Sequence, residues 1–407
     1  MRFAAAALAL ALMTGTALGT APALAQKQEK PKPPKLSKPV IAVVQEVQKL
    51  QQAGDHAGAL ARLEVAKDVP RAEVDDALIM AKLKLFSAQT LKDNAKLEEG
   101  LTEAVEAPSI TLEEKTTFSK FVASLASNRK DYQKAIKWYD FYLSQKPDDV
   151  DMTVQAASTY AAMGARPRVV ELLTKAIDLR ENAGQKGDRS WYAFRAQAVM
   201  DGKLDAQLMP ALLSWVKAYP EPTNYNKAIE IVKQRGGNMD NNLLLDWGRL
   251  MHAADAMATS NNYLEYADAA IDRGMPNEAD MILKEAVAKK LVDPAKPNVK
   301  EFLVITASKN AESKAGIAAL EKEAGSSPRI ALVVADTLAN LGQTDKAVGH
   351  YKRLVGNNVI DQDTLNLRLG VALMKLGDKA GAKAAFDAVK SGSRADIAKF
   401  YGVLLGA

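Results

Sequence analysis

The chain has 407 residues, of which 48% are apolar and 25% charged, as in an ordinary globular protein. It contains no cysteine, which excludes a disulfide framework and a lipid-modified cysteine anchor. The formal net charge is +5 at pH 7, but residues 26–39 carry five lysines and one glutamate and Arg2 adds one more charge. Residues 40–407 are therefore close to neutral, which argues against a basic folded surface.

The first 25 residues have the features of a secretory signal peptide. Arg2 precedes an apolar run over residues 3–18, and Ala23-Leu24-Ala25 forms a small-x-small cleavage site. We therefore expect cleavage after Ala25 and a mature chain that begins at Gln26. The alternative is an uncleaved membrane anchor, but the run is shorter than the roughly 20 residues that a span needs. With no cysteine and no Asn-x-Ser/Thr acceptor, these features predict a periplasmic protein, or alternatively an extracellular one.

Residues 26–39 form a linker with four prolines and five lysines. Such a segment favours extended polyproline geometry, because it has almost nothing to bury. Two interpretations remain open: an electrostatic tether to anionic envelope polymers or lipid, and a solubilising tail.

From residue 40 onward, a turn residue recurs with a small or apolar residue five positions later and a bulky one four positions beyond that. The turn residues are Gly54, Lys130, Gly164, Gly274, Gly342 and Gly377. The small or apolar residues are Ala59, Ala135, Val169, Ala279, Ala347 and Ala382, and the bulky ones are Leu63, Tyr139, Leu173, Leu283, Tyr351 and Phe386. Glycine is favoured just past a helix C-terminus, and a spacing of four places two side chains on one helix face. The pattern predicts repeated pairs of helices joined by short turns.

This pattern resembles the tetratricopeptide repeat (TPR), a helix–turn–helix unit of about 34 residues. Residues 130–176 carry it most clearly, with Lys130, Ala135, Tyr139 and Pro147 followed by Ala157, Tyr160, Gly164, Val169, Leu173 and Ala176. The resemblance implies an all-α fold: a right-handed α-solenoid of about ten TPR-like units over residues 40–407, with a capping helix at about 393–407. The solenoid would be one continuous array.

Weaker units fill the gaps between the clear ones. Their predicted turns lie at Lys92, Gly202 and Gly236 and near Glu312. An aromatic residue stands eleven positions before three of the turn glycines, namely Trp191, Tyr225 and Tyr263. Pro210 departs from the pattern, because it falls in a predicted second helix that it would either start or kink.

The sequence shows no reaction centre. Its three histidines, His56, His252 and His350, lie in distant units, and the acidic pairs are adjacent in sequence and so diverge on a helix. The Gly-Gln-Lys-Gly sequence at 184–187 lacks the strand and the Gly-Lys-Ser/Thr ending of a phosphate loop. We therefore predict no enzymatic activity, no cofactor and no metal.

The resemblance implies that the first helix of each unit lines a concave face that binds a protein segment. Counting back thirteen, ten, six and three residues from three turn glycines gives the lining positions of the middle units. They are Arg189, Tyr192, Ala196 and Val199, then Thr223, Asn226, Glu230 and Lys233, then Asn261, Leu264, Asp268 and Ile271. The partner-binding residues predicted from this set are Arg189, Tyr192, Asn226, Glu230, Lys233, Asn261 and Asp268, and the alternative is that these side chains simply face solvent.

The resulting hypothesis is a non-enzymatic periplasmic scaffold that binds a protein or peptide partner and no nucleic acid. A second hypothesis is an envelope-associated module held by its basic tail, through weak contacts with anionic components. A third is a glycan-cleaving envelope enzyme, which needs a separate catalytic domain with a placed carboxylate. The repeats leave no room for such a domain.

Overall fold

The computed structural model describes residues 33–237 and 239–406, and within them the chain forms twenty α-helices and no β-strand. This confirms the all-helical fold. The predicted signal peptide and the first half of the linker, residues 26–32, lie outside the described residues. Residues 33–37 run in a non-helical segment up to the first helix.

The chain divides into two compact units, Met1–Gln185 and Lys186–Ala407, a division that the repeat pattern does not predict. Unit 1 contains α1 Lys38–Gln52, α2 His56–Val65, α3 Asp76–Leu91, α4 Asn94–Glu106, α5 Leu112–Asn128, α6 Tyr132–Gln145, α7 Val150–Ala162 and α8 Arg166–Asn182.

Unit 2 contains the other twelve helices. The first six are α9 Arg189–Asp201, α10 Asp205–Ala218, α11 Pro222–Arg235, α12 Asn241–Ala253, α13 Ser260–Asp272 and α14 Pro276–Ala288. The last six are α15 Pro297–Glu323, α16 Pro328–Asn340, α17 Thr344–Leu354, α18 Gln362–Lys375, α19 Lys379–Asp387 and α20 Gly392–Leu405.

Within each unit, successive helices pack against one another as TPR-like pairs. The small residue of each predicted unit lies at the contact between the two helices of a pair. All six such residues are fully buried: Ala59, Ala135, Val169, Ala279, Ala347 and Ala382. Their bulky partners one helical turn later are buried as well, so the predicted register of these six pairs is confirmed.

Most of the turns have a residue with positive φ at the predicted position. Five of the six predicted turn residues are glycines with φ between +71° and +79°, and Lys130 has a φ of +66°. Two turns lie one residue later than predicted. Gly202 is right-handed at φ −83° and Lys203 takes the left-handed place at φ +53°, while Gly237, not Gly236, has the positive φ of +70°. The first of these shifts changes which face of α9 is buried.

The predicted turn near Glu312 is wrong. Residues Pro297–Glu323 form one helix of 27 residues, α15, with only Val299, Thr306 and Ile317 buried. The segment is rich in alanine, lysine and glutamate, which have high helix propensity, and no proline interrupts it. The helix continues where two antiparallel helices were expected.

Pro210 lies inside α10, which begins at Asp205, so it does not start that helix. Because α10 contains a backbone position without an N–H, one helical hydrogen bond is necessarily missing there.

The last helix, α20, packs inside unit 2. It contacts α10, α12 and α18 as well as the preceding α19, and Ile397, Phe400 and Tyr401 are fully buried. Arg394 at its start donates from Nε to Asp246 Oδ2 of α12 at 2.9 Å, across 148 residues of sequence. In unit 2, the last helix is therefore bonded to α12, in addition to the contacts between helices that follow one another in sequence.

None of the helices in the described ranges combines the length and apolar character needed to cross a lipid bilayer.

Candidate binding groove

A groove of about 860 Å³ opens on unit 2 between helices α11, α13 and α15. We call it the polar groove. Its lining includes Asn226, Glu230 and Lys233 of α11, Asn261, Leu264, Glu265 and Asp268 of α13, and Asn298 and Phe302 of α15, with Met239 and Leu244 at one side.

Five of the seven predicted partner-binding residues line this groove together: Asn226, Glu230, Lys233, Asn261 and Asp268. They come from two consecutive first helices, α11 and α13, whose positions were counted from Gly236 and Gly274. The structure thus brings these five side chains to one surface. Their role in binding stays a prediction.

The prediction for Tyr192 is wrong. Its side chain is fully buried and packs edge-on against Tyr219, with ring centroids 5.6 Å apart. The cause is the turn at Lys203: counting from that residue instead of Gly202 moves every lining position by one, which is about 100° around a helix. Tyr192 then stands eleven residues before the turn, as the buried Tyr263 does.

Arg189 is exposed but does not line the polar groove. It donates from Nη2 to Glu221 at 2.6 Å, and its guanidinium lies 5.0 Å from the centre of the Tyr219 ring. These contacts tie the start of α9 to the start of α11.

On one side of the groove, the polar side chains already form hydrogen bonds within the protein. Lys233 Nζ donates to Glu265 Oε2 at 2.6 Å, and its side chain is only 10% exposed. Asn262 Nδ2 donates to Glu230 Oε1 at 3.0 Å, and Asn226 Nδ2 donates to the Ala256 carbonyl at 2.8 Å. Lys233 therefore stabilises this wall, and we expect its removal to lower the stability of unit 2.

The other side is open to a ligand. Asn261 and Asp268 are exposed on α13, and neither forms a hydrogen bond or ion pair with another described residue. The lining carries three carboxylates, on Glu230, Glu265 and Asp268, against one ammonium group, on Lys233. Since the ammonium group is paired with Glu265, the groove presents a net negative surface that favours a cationic ligand.

Sequence reasoning missed the contribution of α15. Asn298 is exposed and Phe302 half-buried in the groove wall, where a helix pair with a turn near Glu312 had been expected. One signal was available: Asn226, Asn261 and Asn298 recur at intervals close to one repeat. An amide offers both a donor and an acceptor, which suits the backbone of an extended chain.

Across the described parts of the chain, no three histidine, aspartate or glutamate side chains are grouped so that they could hold a metal ion. His252 is bonded to Glu285 at 2.8 Å, and the other two histidines lie elsewhere in the fold.

No protein-family model and no curated protein sequence matches the chain. Among solved structures, a crystal structure of MamA protein is similar at 16% identity, covering 44% of this chain and 92% of that one, with a TM-score of 0.29. A tetratricopeptide repeat protein from Parabacteroides merdae is similar at 13% identity, covering 67% of this chain and all of that one, with a TM-score of 0.28.

A third similar structure is that of Naa15/Naa10 bound to HypK-THB, at 13% identity over 86% of this chain and 63% of that one, with a TM-score of 0.37. These likenesses are too weak to carry an argument about function. The fold assignment rests on the twenty helices themselves, their pairwise packing and their turns.

Proposed function

We propose that the protein is a non-enzymatic scaffold that binds an extended protein segment in the polar groove of unit 2. One observation carries the proposal: the open side of the groove presents the unpaired Asn261 and Asp268 beside the half-buried Phe302. The amide can bond a peptide backbone, and the aromatic ring can hold an apolar side chain of the segment.

The charge of the groove indicates which type of residue the bound segment contains. Asp268 is exposed and unpaired among the described residues, while the cationic side chain of the lining, Lys233, is bonded to Glu265. A lysine or arginine in the bound segment would supply the missing positive charge. We therefore propose a partner segment with at least one basic residue next to an apolar one.

Retention of a partner by the purified mature protein tests this proposal. Asp268→Lys should greatly reduce retention of proteins from the native cell envelope fraction, because the groove would then repel a basic segment. Asp345→Lys is the matched control, since Asp345 is also an exposed helical aspartate but lies outside the groove. Equal losses with the two variants, or no loss with either, would contradict the proposal.

We also propose that the scaffold works in the periplasm after removal of residues 1–25. The support is that a charged residue, an apolar run and a small-x-small cleavage site follow one another within the first 25 residues. Mass spectrometry of the native protein should find its N-terminus at Gln26. An intact Met1 in a membrane fraction would instead support the anchor alternative.

A further inference from the structure

A second cavity in unit 2, separate from the polar groove, is built from seven helices. It has a volume of about 550 Å³ and shares no lining residue with the groove. Its inner wall contains the buried Tyr266, Arg368 and Tyr401, and its rim contains the exposed Met281 and Lys375. The cavity therefore reaches from solvent into the interior, as ligand sites commonly do.

A buried ion pair forms one wall of the cavity. Arg249 donates from Nε and Nη2 to both carboxylate oxygens of Glu278, each at 2.8 Å, and Tyr266 also donates its hydroxyl to Glu278. Burial alone would raise the pKa of Glu278, but the Arg249 charge and these hydrogen bonds outweigh it and lower the pKa to about 2. This carboxylate is therefore ionised, and both of its oxygens accept hydrogen bonds from protein donors.

One further donor in the cavity has no acceptor among the described residues. The Tyr401 hydroxyl is buried, with the residue 0% exposed, and no described residue forms a hydrogen bond with it. Arg368, in contrast, donates through Nη1 to Asp336, and its Nε lies 3.6 Å from Asp246 Oδ1. An unsatisfied buried donor costs about 1–3 kcal/mol, so such a group is expected to have an acceptor from elsewhere.

Lys375 at the rim adds a charge with no partner among the described residues. Removal of water by the surrounding protein lowers the pKa of its amine, with Arg249 contributing to the fall and Glu278 opposing it. Of the three cationic side chains in the lining, Arg249 is paired with Glu278 and Arg368 with Asp336, so the charge without a salt-bridge partner among the described residues is that of Lys375. This positive charge favours an anion.

The rest of the lining is largely apolar. Met281, Leu341, Val371 and Met374 contribute aliphatic and thioether surface to the cavity. Methionine side chains adapt to ligands of irregular shape. A simple inorganic anion would leave this surface without a contact.

We propose that this cavity binds a small organic anion, with one acidic group held by the Lys375 ammonium group and the Tyr401 hydroxyl and an apolar body against Met281 and Met374. The site lies apart from the groove that binds protein segments. A ligand there contacts α20 and six other helices at once, and so stabilises unit 2 by binding its folded state.

Two fluorescent probes test the charge requirement. They are 8-anilino-1-naphthalenesulfonate and its uncharged parent, N-phenyl-1-naphthylamine, added to the full mature protein. The sulfonate should bind with one-to-one stoichiometry and at least about tenfold more tightly than the neutral probe, since charge-assisted hydrogen bonds are the strong ones. Equal binding of the two probes, or binding of many molecules, would overturn the proposal.

Substitutions then locate the probe. Lys375→Gln should weaken sulfonate binding about tenfold and leave neutral-probe binding unchanged. Lys352→Gln is the matched control, because Lys352 is an exposed helical lysine outside the cavity, and it should change neither. Identical effects of the two variants would overturn the proposal.

Tyr401→Phe separates ligand binding from folding. The hydroxyl has no hydrogen-bond partner among the described residues, so its removal should not lower the melting temperature of the ligand-free protein, and it should weaken sulfonate binding several-fold. A large fall in the melting temperature with unchanged binding would show that the hydroxyl is structural and would overturn its assigned role.

Competition defines the apolar half of the ligand. Octanoate should displace the sulfonate probe at concentrations where inorganic phosphate does not, because only octanoate fills the apolar part of the cavity. Displacement by phosphate alone would reduce the site to a plain anion site and overturn this part of the inference.

Discussion

Replacing Asp246 by asparagine is expected to loosen the C-terminal helix of unit 2. Asp246 is only 2% exposed, and its Oδ2 accepts the hydrogen bond from Arg394 Nε at 2.9 Å. Its Oδ1 lies 3.6 Å from Arg368 Nε and 3.9 Å from Arg249 Nη1. Asparagine keeps the size of the side chain but removes the negative charge that faces these three guanidinium groups.

The free energy lost in Asp246→Asn depends on how deeply the charged groups are buried. Breaking a buried ion pair by removing one partner costs about 3–5 kcal/mol, because the remaining charge is left uncompensated. Arg394 is 20% exposed, so water can screen part of the loss. We therefore expect the lower end, about 3 kcal/mol in the free energy of opening, which corresponds to roughly a hundredfold change in an equilibrium constant.

Hydrogen exchange followed by mass spectrometry measures this locally. Amide exchange in α20 should accelerate about a hundredfold in Asp246→Asn, while exchange in α1 to α8 of unit 1 stays unchanged. Asp345→Asn is the matched control, since Asp345 is an exposed aspartate of the same unit. It should leave α20 as protected as in the natural protein.

Two outcomes would refute this reasoning. Unchanged protection of α20 in Asp246→Asn would mean that the bond to Arg394 does not hold the helix. Equal acceleration in both units would mean that the chain opens as one cooperative body rather than unit by unit.

Three further predictions follow from burial and charge. Ala135→Leu should lower the free energy of unfolding by about 1–3 kcal/mol in urea titrations, because the site is fully buried at a helix contact, and a neutral result would contradict the register. Tyr192→Ala should lower the free energy of unfolding by about 3 kcal/mol or more, whereas Asn261→Ala in the groove should change it by no more than about 0.5 kcal/mol. Equal changes for the two variants in the same titration would contradict the burial assignment. The Glu278 carboxylate has a pKa lowered from 4.5 to about 2, so its stabilising contribution is complete above pH 4.5 and is lost as the pH falls toward 2. The gap in melting temperature between the natural protein and Glu278→Gln should therefore close over that range, and a constant gap would argue against an ionised Glu278.

The helix pairs could be predicted from the sequence because their signals are local. Ala59 and Ala382 are buried as the spacing from Gly54 and Gly377 requires. Both residues of each signal lie within one turn and one helix, so no long-range information is needed.

The groove could be predicted only in part from the turn positions. Asp268 reaches the groove as counted from Gly274, which has the positive φ of its turn, while Tyr192 does not, because Lys203 takes the left-handed place instead of Gly202. Asn226 reaches the groove although Gly237, and not Gly236, has the positive φ, so the turn residue alone does not fix which face of α11 is buried. Lysine in that conformation is uncommon, and the adjacent Gly202 is the residue that a sequence pattern selects. A one-residue error is enough to move a side chain from surface to core.

The bond between α20 and α12 in unit 2 could not be predicted from the sequence. Arg394 and Asp246 are separated by 148 residues, and each belongs to an unremarkable polar position of its own helix. The same holds for the cavity, where Arg249, Arg368 and Tyr401 come from three separate helices. Such contacts depend on how successive pairs turn relative to one another, which no local spacing specifies.

Site-specific photocrosslinking in living cells tests most directly whether the polar groove binds a protein. A photoreactive amino acid replaces either Asn261, which is exposed in the groove, or Asn182, which is exposed at the end of α8 in unit 1. The proposed function predicts that position 261 captures one discrete partner protein, through a segment that contains a basic residue, and that position 182 does not. Capture of the same proteins at both positions, or at position 182 alone, would contradict it.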